Sequence, residues 1–97
     1  MPLKLDKISV LVVEDIEPMR NLIVGVLEAL GVKKIHTAEH GGSGYIEFKK
    51  NNPDIVITDW EMEPVSGFEL IQRIRTDPTS PNKTTPIILL TGYNSKN

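Results

Sequence analysis

Three short apolar segments of this 97-residue chain each end in a side chain that carries oxygen. In chain order these oxygen-bearing residues are Glu14, Asp15, Asp59 and Thr91. If the segments are neighbouring parallel strands, their carboxyl ends meet at one edge of the sheet, where open α/β sheets bind ligands. Two carboxylates about 4 Å apart repel each other by about 4 kcal/mol at an effective dielectric constant near 20. A cation is therefore needed to hold the acidic side chains together.

The residue types at this edge indicate which cation and which chemistry. Oxygen ligands without histidine or cysteine favour a hard divalent ion, and Mg²⁺ is the expected one. A carboxylate beside Mg²⁺ can attack a phosphoryl group and form an aspartyl phosphate, while the metal and a threonine hydroxyl hold the phosphoryl oxygens. An acidic residue after a strand is, taken alone, usually a solvated turn residue. The set as a whole therefore points to phosphoryl chemistry, with Asp59 as the nucleophile.

Four apolar segments are predicted to be strands, at residues 8–13, 35–38, 55–58 and 86–90. Their apolar and β-branched composition is typical of strands buried on both faces of a sheet. A first helix is predicted to begin near Glu17, with Pro18 at its first position and Gly31 as its C-terminal cap. Its apolar stripe consists of Met19, Leu22, Ile23, Val26, Leu27 and Leu30.

Two further helices complete the predicted order β-α-β-α-β-α-β, the signature of an α/β fold with a doubly wound parallel sheet. Tyr45 and Phe48 indicate a helix that runs to about Asn51, whereas each of the three glycines in residues 41–44 would cost about 1 kcal/mol if it were helical. Ser66 and Glu69 form a capping box for the next helix. The apolar face of that helix consists of Leu70, Ile71 and Ile74.

Composition excludes several classes of function. The chain is 39% hydrophobic and 25% charged with a net charge of −2, which gives no reason to expect nucleic-acid or membrane binding. The absence of cysteine excludes disulfides and thiolate ligands, and a cytoplasmic protein is expected. Glu63 is expected to be a surface loop residue. Trp60 is expected either to belong to the core or to flank the site as a partly exposed residue. His36 and His40 are expected to be solvated.

Three motifs in combination resemble the response-regulator receiver domain of the CheY-like, chemotaxis type. They are Val12-Val13-Glu14-Asp15, Ile57-Thr58-Asp59-Trp60-Glu61-Met62-x-Pro64-x-x-Gly67 and Ile88-Leu89-Leu90-Thr91-Gly92. Each motif alone is weak, but the combination is specific and covers about residues 9–93. The resemblance implies a flavodoxin-like fold with strand order 2-1-3-4. It also implies a signalling module of two-component systems rather than an enzyme.

The resemblance further implies a role for each residue of the site. Asp59 would accept a phosphoryl group from a histidine kinase or a phosphotransfer protein. Asp15 would bind Mg²⁺ directly and Asp59 would share the ion with it. Glu14 would bind the ion through water, and Glu61 would bind it through its main-chain carbonyl. The phosphoryl group would contact the hydroxyl of Thr91 and the backbone N–H groups of Glu61 and Gly92.

In this family a fourth helix, a fifth strand with a phosphoryl-binding lysine, and a fifth helix follow the fourth strand. Residues 1–97 are therefore expected to be a receiver domain that is incomplete at its C-terminus. Lys83 and Lys96 are poor substitutes for the lysine, so weakened Mg²⁺ binding and poor phosphorylation are expected. The fourth strand would be an edge, and the first helix would lack the cover of the fifth. These features predict a dimer or a domain swap.

Two other functions stay open. A receiver-like interaction module would not accept phosphate, and the complete set of Glu14, Asp15, Asp59 and Thr91 argues against it. A Mg²⁺-dependent phosphohydrolase on a similar sheet would need a second aspartate two residues after Asp59, where Glu61 stands. The identity of the kinase and of the output partner does not follow from the sequence.

Overall fold

The fold is described over residues 5–90 of a computed structural model. Its centre is a four-stranded sheet of β1 (Ser9–Val13), β2 (Lys34–Ala38), β3 (Ile55–Asp59) and β4 (Ile87–Leu90). The strand order is β2-β1-β3-β4 and every neighbouring pair is parallel. The predicted topology and strand order are therefore confirmed, and β1 and β3 occupy the middle of the sheet.

Three helices connect the strands, preceded by a short 3-10 turn at Leu5–Lys7. They are α1 (Glu17–Ala29), α2 (Gly41–Asn51) and α3 (Gly67–Thr76). Pro18 lies in the first turn of α1, and Gly31 follows the helix with a left-handed φ of 104°. Ser66 caps α3 by accepting the N–H of Glu69 at 3.1 Å. No helix among residues 5–90 has the length and apolar character that crossing a membrane requires.

The start of α2 depends on His40. Its Nδ1 atom accepts the backbone N–H groups of Gly42 at 3.0 Å and Ser43 at 3.4 Å. The Ser43 hydroxyl accepts the N–H of His40 at 3.3 Å in return. This reciprocal cap satisfies N–H groups that a helix start leaves without partners. The expectation that His40 is only a solvated side chain is therefore wrong.

Two apolar clusters lie on opposite faces of the sheet, because successive residues of each strand point to opposite sides. One cluster joins Leu11 and Val13 to Phe48 of α2 and to Leu70 and Ile74 of α3. The other cluster contains the alternate sheet residues Val10, Val12 and Ile57, against which Ile23, Val24 and Leu27 of α1 pack. The sheet thus separates α1 from the other two helices.

The predicted apolar stripe of α1 is wider than its contact with the sheet. Ile23 and Leu27 pack on the sheet. Four other members of the stripe are 44–60% exposed, namely Met19, Leu22, Val26 and Leu30. Ile88, on the same face of β4 as the packed Leu90, is 50% exposed. We call these five exposed side chains the open apolar face.

Candidate functional site

The sheet register brings three carboxylates together. Val13 of β1 pairs with Thr58 of β3, so the residues that follow these two positions emerge side by side. The residues concerned are Glu14, Asp15 and Asp59, and one oxygen from each lies within 4.8 Å of the others. Glu14 is only 3% exposed, whereas Asp15 is exposed and Asp59 is half-buried. The carboxylates that the sequence places at this edge therefore form one cluster.

Backbone hydrogen bonds hold the turn that carries Asp59. The Oδ1 atom of Asp59 accepts the N–H of Trp60 at 2.7 Å, which orients the carboxylate. The buried Thr58 hydroxyl donates to the carbonyl oxygen of Asp59 at 2.9 Å. Gly67 at the start of α3 donates its N–H to the carbonyl oxygen of Trp60 at 2.9 Å. A Cβ atom at Gly67 would overlap the Asp59 carbonyl oxygen, so only glycine permits this approach.

A second turn holds Glu14. Its Oε2 atom accepts the N–H of Ile16 at 3.2 Å. Arg20, in the second turn of α1, donates from Nη1 to the carbonyl oxygen of Glu14 at 2.8 Å. Arg20 is therefore bonded to the backbone of the turn and not to a carboxylate of the cluster. The role of Arg20 in this turn was not predicted from the sequence.

Burial and like charges disfavour ionisation in the cluster. Burial raises the pKa of Asp59 above its usual range, the Trp60 N–H lowers it, and the charges of Asp15 and Glu61 raise it further. Burial also raises the pKa of Glu14, against the lowering effect of the Ile16 N–H and with the added effect of Asp15 and Asp59. A divalent cation would relieve this repulsion. Three clustered oxygen ligands, one of them buried, fit Mg²⁺ by charge and by chemistry.

Charge is segregated between the two ends of the parallel sheet. The carboxyl ends of the strands, with the adjoining loops and first helical turns, form what we call the acidic end. Its eight carboxylates belong to Glu14, Asp15, Glu17, Glu39, Asp59, Glu61, Glu63 and Glu69. Arg20 is the one lysine or arginine at this end among residues 5–90.

The opposite end of the sheet, which we call the basic end, holds the other basic side chains of residues 5–90. These are Lys7, Lys33, Lys34, Lys49, Lys50, Arg73, Arg75 and Lys83. Four carboxylates also lie there, those of Asp6, Glu28, Asp54 and Asp77, and a further one, Glu47, lies within α2 between the two ends. The net charge of −2 therefore conceals two ends of opposite sign.

An exposed aromatic pair lies beside the cluster. Trp60 and Phe68 are 40% and 44% exposed, with ring centroids 5.1 Å apart and planes tilted by 52°. Next to this turn is an open depression lined by Asp15, Glu61, Met62, Glu63 and Ser66. Of the two predicted positions for Trp60, the structure shows the one that flanks the site. Phe68 gave no signal in the sequence, because an aromatic residue in a helix is more often part of the core.

The predicted ligands and phosphoryl contacts fall into two groups. Glu14, Asp15 and Asp59 are clustered, and Glu61 shares the depression with Asp15. Thr91 and Gly92 lie outside the described residues. The individual role of each of these residues in binding a metal or a phosphoryl group stays a prediction.

Comparison with known proteins gives consistent matches. The family model of the response regulator receiver domain matches residues 10–97 of this chain. The chemotaxis protein CheY1 of Helicobacter pylori is 35% identical over 89 residues, which are 91% of this chain and 70% of that protein.

Two solved structures have the same architecture. The N-terminal domain of a response regulator receiver protein from Methanoculleus marisnigri superposes with a TM-score of 0.78 at 31% identity. That match covers 86% of this chain and 65% of the other, so the chain spans slightly less than two thirds of that structure. The receiver domain of the histidine kinase CKI1 from Arabidopsis thaliana, complexed with Mg²⁺ and BeF3−, gives a TM-score of 0.81 at 24% identity over 94% of this chain and 71% of that one. At that identity the likeness concerns the fold alone.

Proposed function

Because this chain belongs to the response regulator receiver domain family, a family of two-component signalling domains, we propose that Asp59 accepts a phosphoryl group in a Mg²⁺-dependent reaction. The observation that carries the proposal is the cluster of three carboxylates at the ends of β1 and β3, all within 4.8 Å. Acidic groups so close are unfavourable without a cation, and phosphoryl transfer requires both a cation and a nucleophile.

The chemistry assigns different tasks to the two oxygens of Asp59. Oδ1 accepts the Trp60 N–H, and Oδ2 is the proposed nucleophile. The phosphoryl donor in this proposal is a phosphohistidine. Oδ2 forms a bond to phosphorus as the bond between phosphorus and the histidine nitrogen breaks, and the leaving imidazole takes up a proton. The turn formed by Thr58, Asp59 and Gly67 keeps the carboxylate in place through this exchange.

The other residues of the site hold the metal and the transferred group. Asp15 and Asp59 would hold Mg²⁺ directly, Glu14 would hold it through water, and Glu61 would hold it through its carbonyl oxygen. When bound, the ion neutralises charge on the carboxylates and on the phosphoryl oxygens. The predicted phosphoryl contacts are the Thr91 hydroxyl and the backbone N–H groups of Glu61 and Gly92.

The partner that supplies the phosphoryl group is, in this proposal, a histidine kinase or a phosphotransfer protein in the cytoplasm. The phosphorylated chain signals by a conformational switch to an output partner that is not specified. We expect no nucleic-acid contact by this domain, no membrane contact and no enzymatic turnover beyond self-phosphorylation and dephosphorylation. That residues 1–97 are an incomplete receiver domain stays a prediction.

One experiment separates this function from its alternatives. The chain is incubated with Mg²⁺ and either beryllofluoride or acetyl phosphate, alongside an Asp59→Asn variant. We expect an adduct on Asp59 that forms in low yield, because Lys83 and Lys96 are poor substitutes for the phosphoryl-binding lysine of the family. The adduct should be absent from the variant and from samples with a metal chelator. No adduct in either protein would favour an interaction module that does not take phosphate. Continued release of inorganic phosphate would favour a phosphohydrolase.

We also propose that the open apolar face is covered by a second copy of this chain. Met19, Leu22, Val26 and Leu30 expose 44–60% of their surfaces along one side of α1, and Ile88 is exposed on the edge strand β4. Contiguous apolar surface of this kind marks an association site. Sedimentation at increasing concentration should reveal a dimer that a Leu22→Glu variant abolishes. A monomer at all concentrations would contradict the proposal.

A further inference from the structure

The acidic end is more acidic than its metal site or its helices require. Glu14, Asp15 and Asp59 belong to the metal cluster, and Glu17 and Glu69 stabilise the N-terminal ends of α1 and α3. Neither account covers Glu39, which is exposed before α2. Nor does either account cover the side chains of Glu61 and Glu63, which are exposed in the loop between β3 and α3. These two carboxylates would keep their charge after the cluster had bound Mg²⁺.

Trp60 and Phe68 add a second, independent feature at the same place. Both rings are more than one-third exposed, although large aromatic side chains are usually much more buried. Their centroids are 5.1 Å apart, so they form one continuous apolar patch. Each ring is followed in the chain by an exposed glutamate, Glu61 after Trp60 and Glu69 after Phe68. Exposed negative side chains are therefore the neighbours of both rings along the chain.

We propose that this surface, formed by Trp60, Glu61, Glu63, Phe68 and Glu69, docks a protein partner that presents arginine or lysine side chains. The inference rests on the proposed function, in which a phosphoryl-donor protein must approach Asp59, and it adds the chemistry of that partner's contact surface.

Charge complementarity favours a basic partner over an apolar or an acidic one. A guanidinium or ammonium group can lie on an aromatic face while it pairs with an adjacent carboxylate. A neutral apolar partner would cover the rings but would remove the carboxylates from water without compensation. An acidic surface would be repelled. Opposite charges also steer association, which should make binding faster at low ionic strength.

The test uses a blocked peptide of alternating arginine and glycine, at saturating Mg²⁺. Trp60 is the chain's one tryptophan and lies in the surface, so its fluorescence reports binding there. The matched peptide replaces each arginine with citrulline, which is similar in shape but neutral. We expect the arginine peptide to bind about tenfold more tightly at low ionic strength, from two or three exposed charge pairs.

Variants locate the binding surface. The double variant Glu63→Gln, Glu69→Gln is expected to weaken the arginine peptide about tenfold. Phe68→Ala is expected to weaken it about twofold to fivefold, by removing one aromatic face. Glu28→Gln is the matched control, because Glu28 is exposed in the last turn of α1 at the basic end. This control should leave the affinity unchanged.

Several results would overturn the proposal. Equal binding of the two peptides would indicate an apolar partner, and an equal effect of Glu28→Gln would indicate diffuse attraction to net charge. Loss of binding when Mg²⁺ is added would show that the peptide occupies only the metal site. The Glu63, Glu69 and Phe68 variants should all still form the Asp59 adduct with beryllofluoride. Absence of that adduct from the unmodified chain would refute the proposed function separately.

Discussion

Replacing Asp59 with asparagine is expected to stabilise the folded chain when Mg²⁺ is absent. The change removes one of three negative charges whose oxygens lie within 4.8 Å of one another. Asparagine keeps the size of the side chain, and its oxygen can still accept the Trp60 N–H that Asp59 accepts at 2.7 Å. The variant therefore alters the charge of the cluster while it preserves the local geometry.

The separation of the charges sets the size of the effect. Two unit charges 4.8 Å apart repel each other by about 0.9 kcal/mol at a dielectric constant of 80 and by about 3.5 kcal/mol at 20. The lower energy applies to the repulsion between Asp59 and Asp15, because Asp15 is exposed. The repulsion between Asp59 and the buried Glu14 lies between the two energies. Burial raises the folded-state pKa of both Asp59 and Glu14, so ionisation of the cluster is disfavoured in the folded chain. We expect the free energy of unfolding to rise by about 1–3 kcal/mol at pH 7.

Urea unfolding followed by Trp60 fluorescence and circular dichroism, with a metal chelator present, measures this change. Saturating Mg²⁺ should reduce or reverse the difference, because a cation that binds only the folded state stabilises the parent more than the variant. Asp54→Asn is the control. Asp54 lies at the other end of the sheet and accepts the Ser9 N–H at 2.8 Å, so its replacement should give no stabilisation. An Asp59→Asn variant that is less stable than the parent without metal would refute the reasoning.

Three further predictions concern the same site and its supports. Without Mg²⁺, the free energy of unfolding should fall as pH rises from about 4.5 to about 7. Burial raises the folded-state pKa of Asp59 and of Glu14, so the unfolded chain loses these two protons at a lower pH than the folded chain does. Denaturant titrations across this range measure the slope, which Asp59→Asn should flatten; a rising slope would contradict the assignment. Gly67→Ala should destabilise the chain by about 1–3 kcal/mol and weaken Mg²⁺ binding, since its Cβ would displace the Asp59 carbonyl. Gly25→Ala, in an open position within α1, should instead stabilise it by up to about 1 kcal/mol, and equal effects of the two changes would exclude the contact as the cause. His40→Ala should cost about 1 kcal/mol by removing the cap of α2, whereas His40→Asn should keep it; equal thermal stability of both variants would show that the cap is unimportant.

The sheet and the carboxylate cluster could be predicted because their signals are local. Apolar runs bounded by turn formers identify the strands, and parallel topology then places the residues after β1 and β3 at one edge. Nothing further along the chain is needed to bring Glu14, Asp15 and Asp59 together. The roles of Thr91 and Gly92 cannot be compared with the structure, because both residues lie outside the described part of the chain.

The start of α2 could not be predicted in the same way, because its determinants are distant in sequence. The glycines there look like helix breakers. Gly41, however, donates its N–H to the carbonyl oxygen of Val65 at 2.7 Å, and a Cβ atom at Gly41 would overlap the Ser66 carbonyl oxygen. This glycine serves a close approach between two loops. The apolar stripe of α1 is a second example. Helical periodicity predicts which residues form the stripe, but it does not predict which of them pack on the sheet.

The separation of charge between the two ends has a practical consequence for attaching the protein to a solid support. All lysines of residues 5–90 lie at the basic end, namely Lys7, Lys33, Lys34, Lys49, Lys50 and Lys83. Amine-reactive coupling through these side chains would hold the molecule by that end. Asp59 and Trp60 would then face the solution, so a sensor chip prepared in this way presents the acidic end to an injected partner.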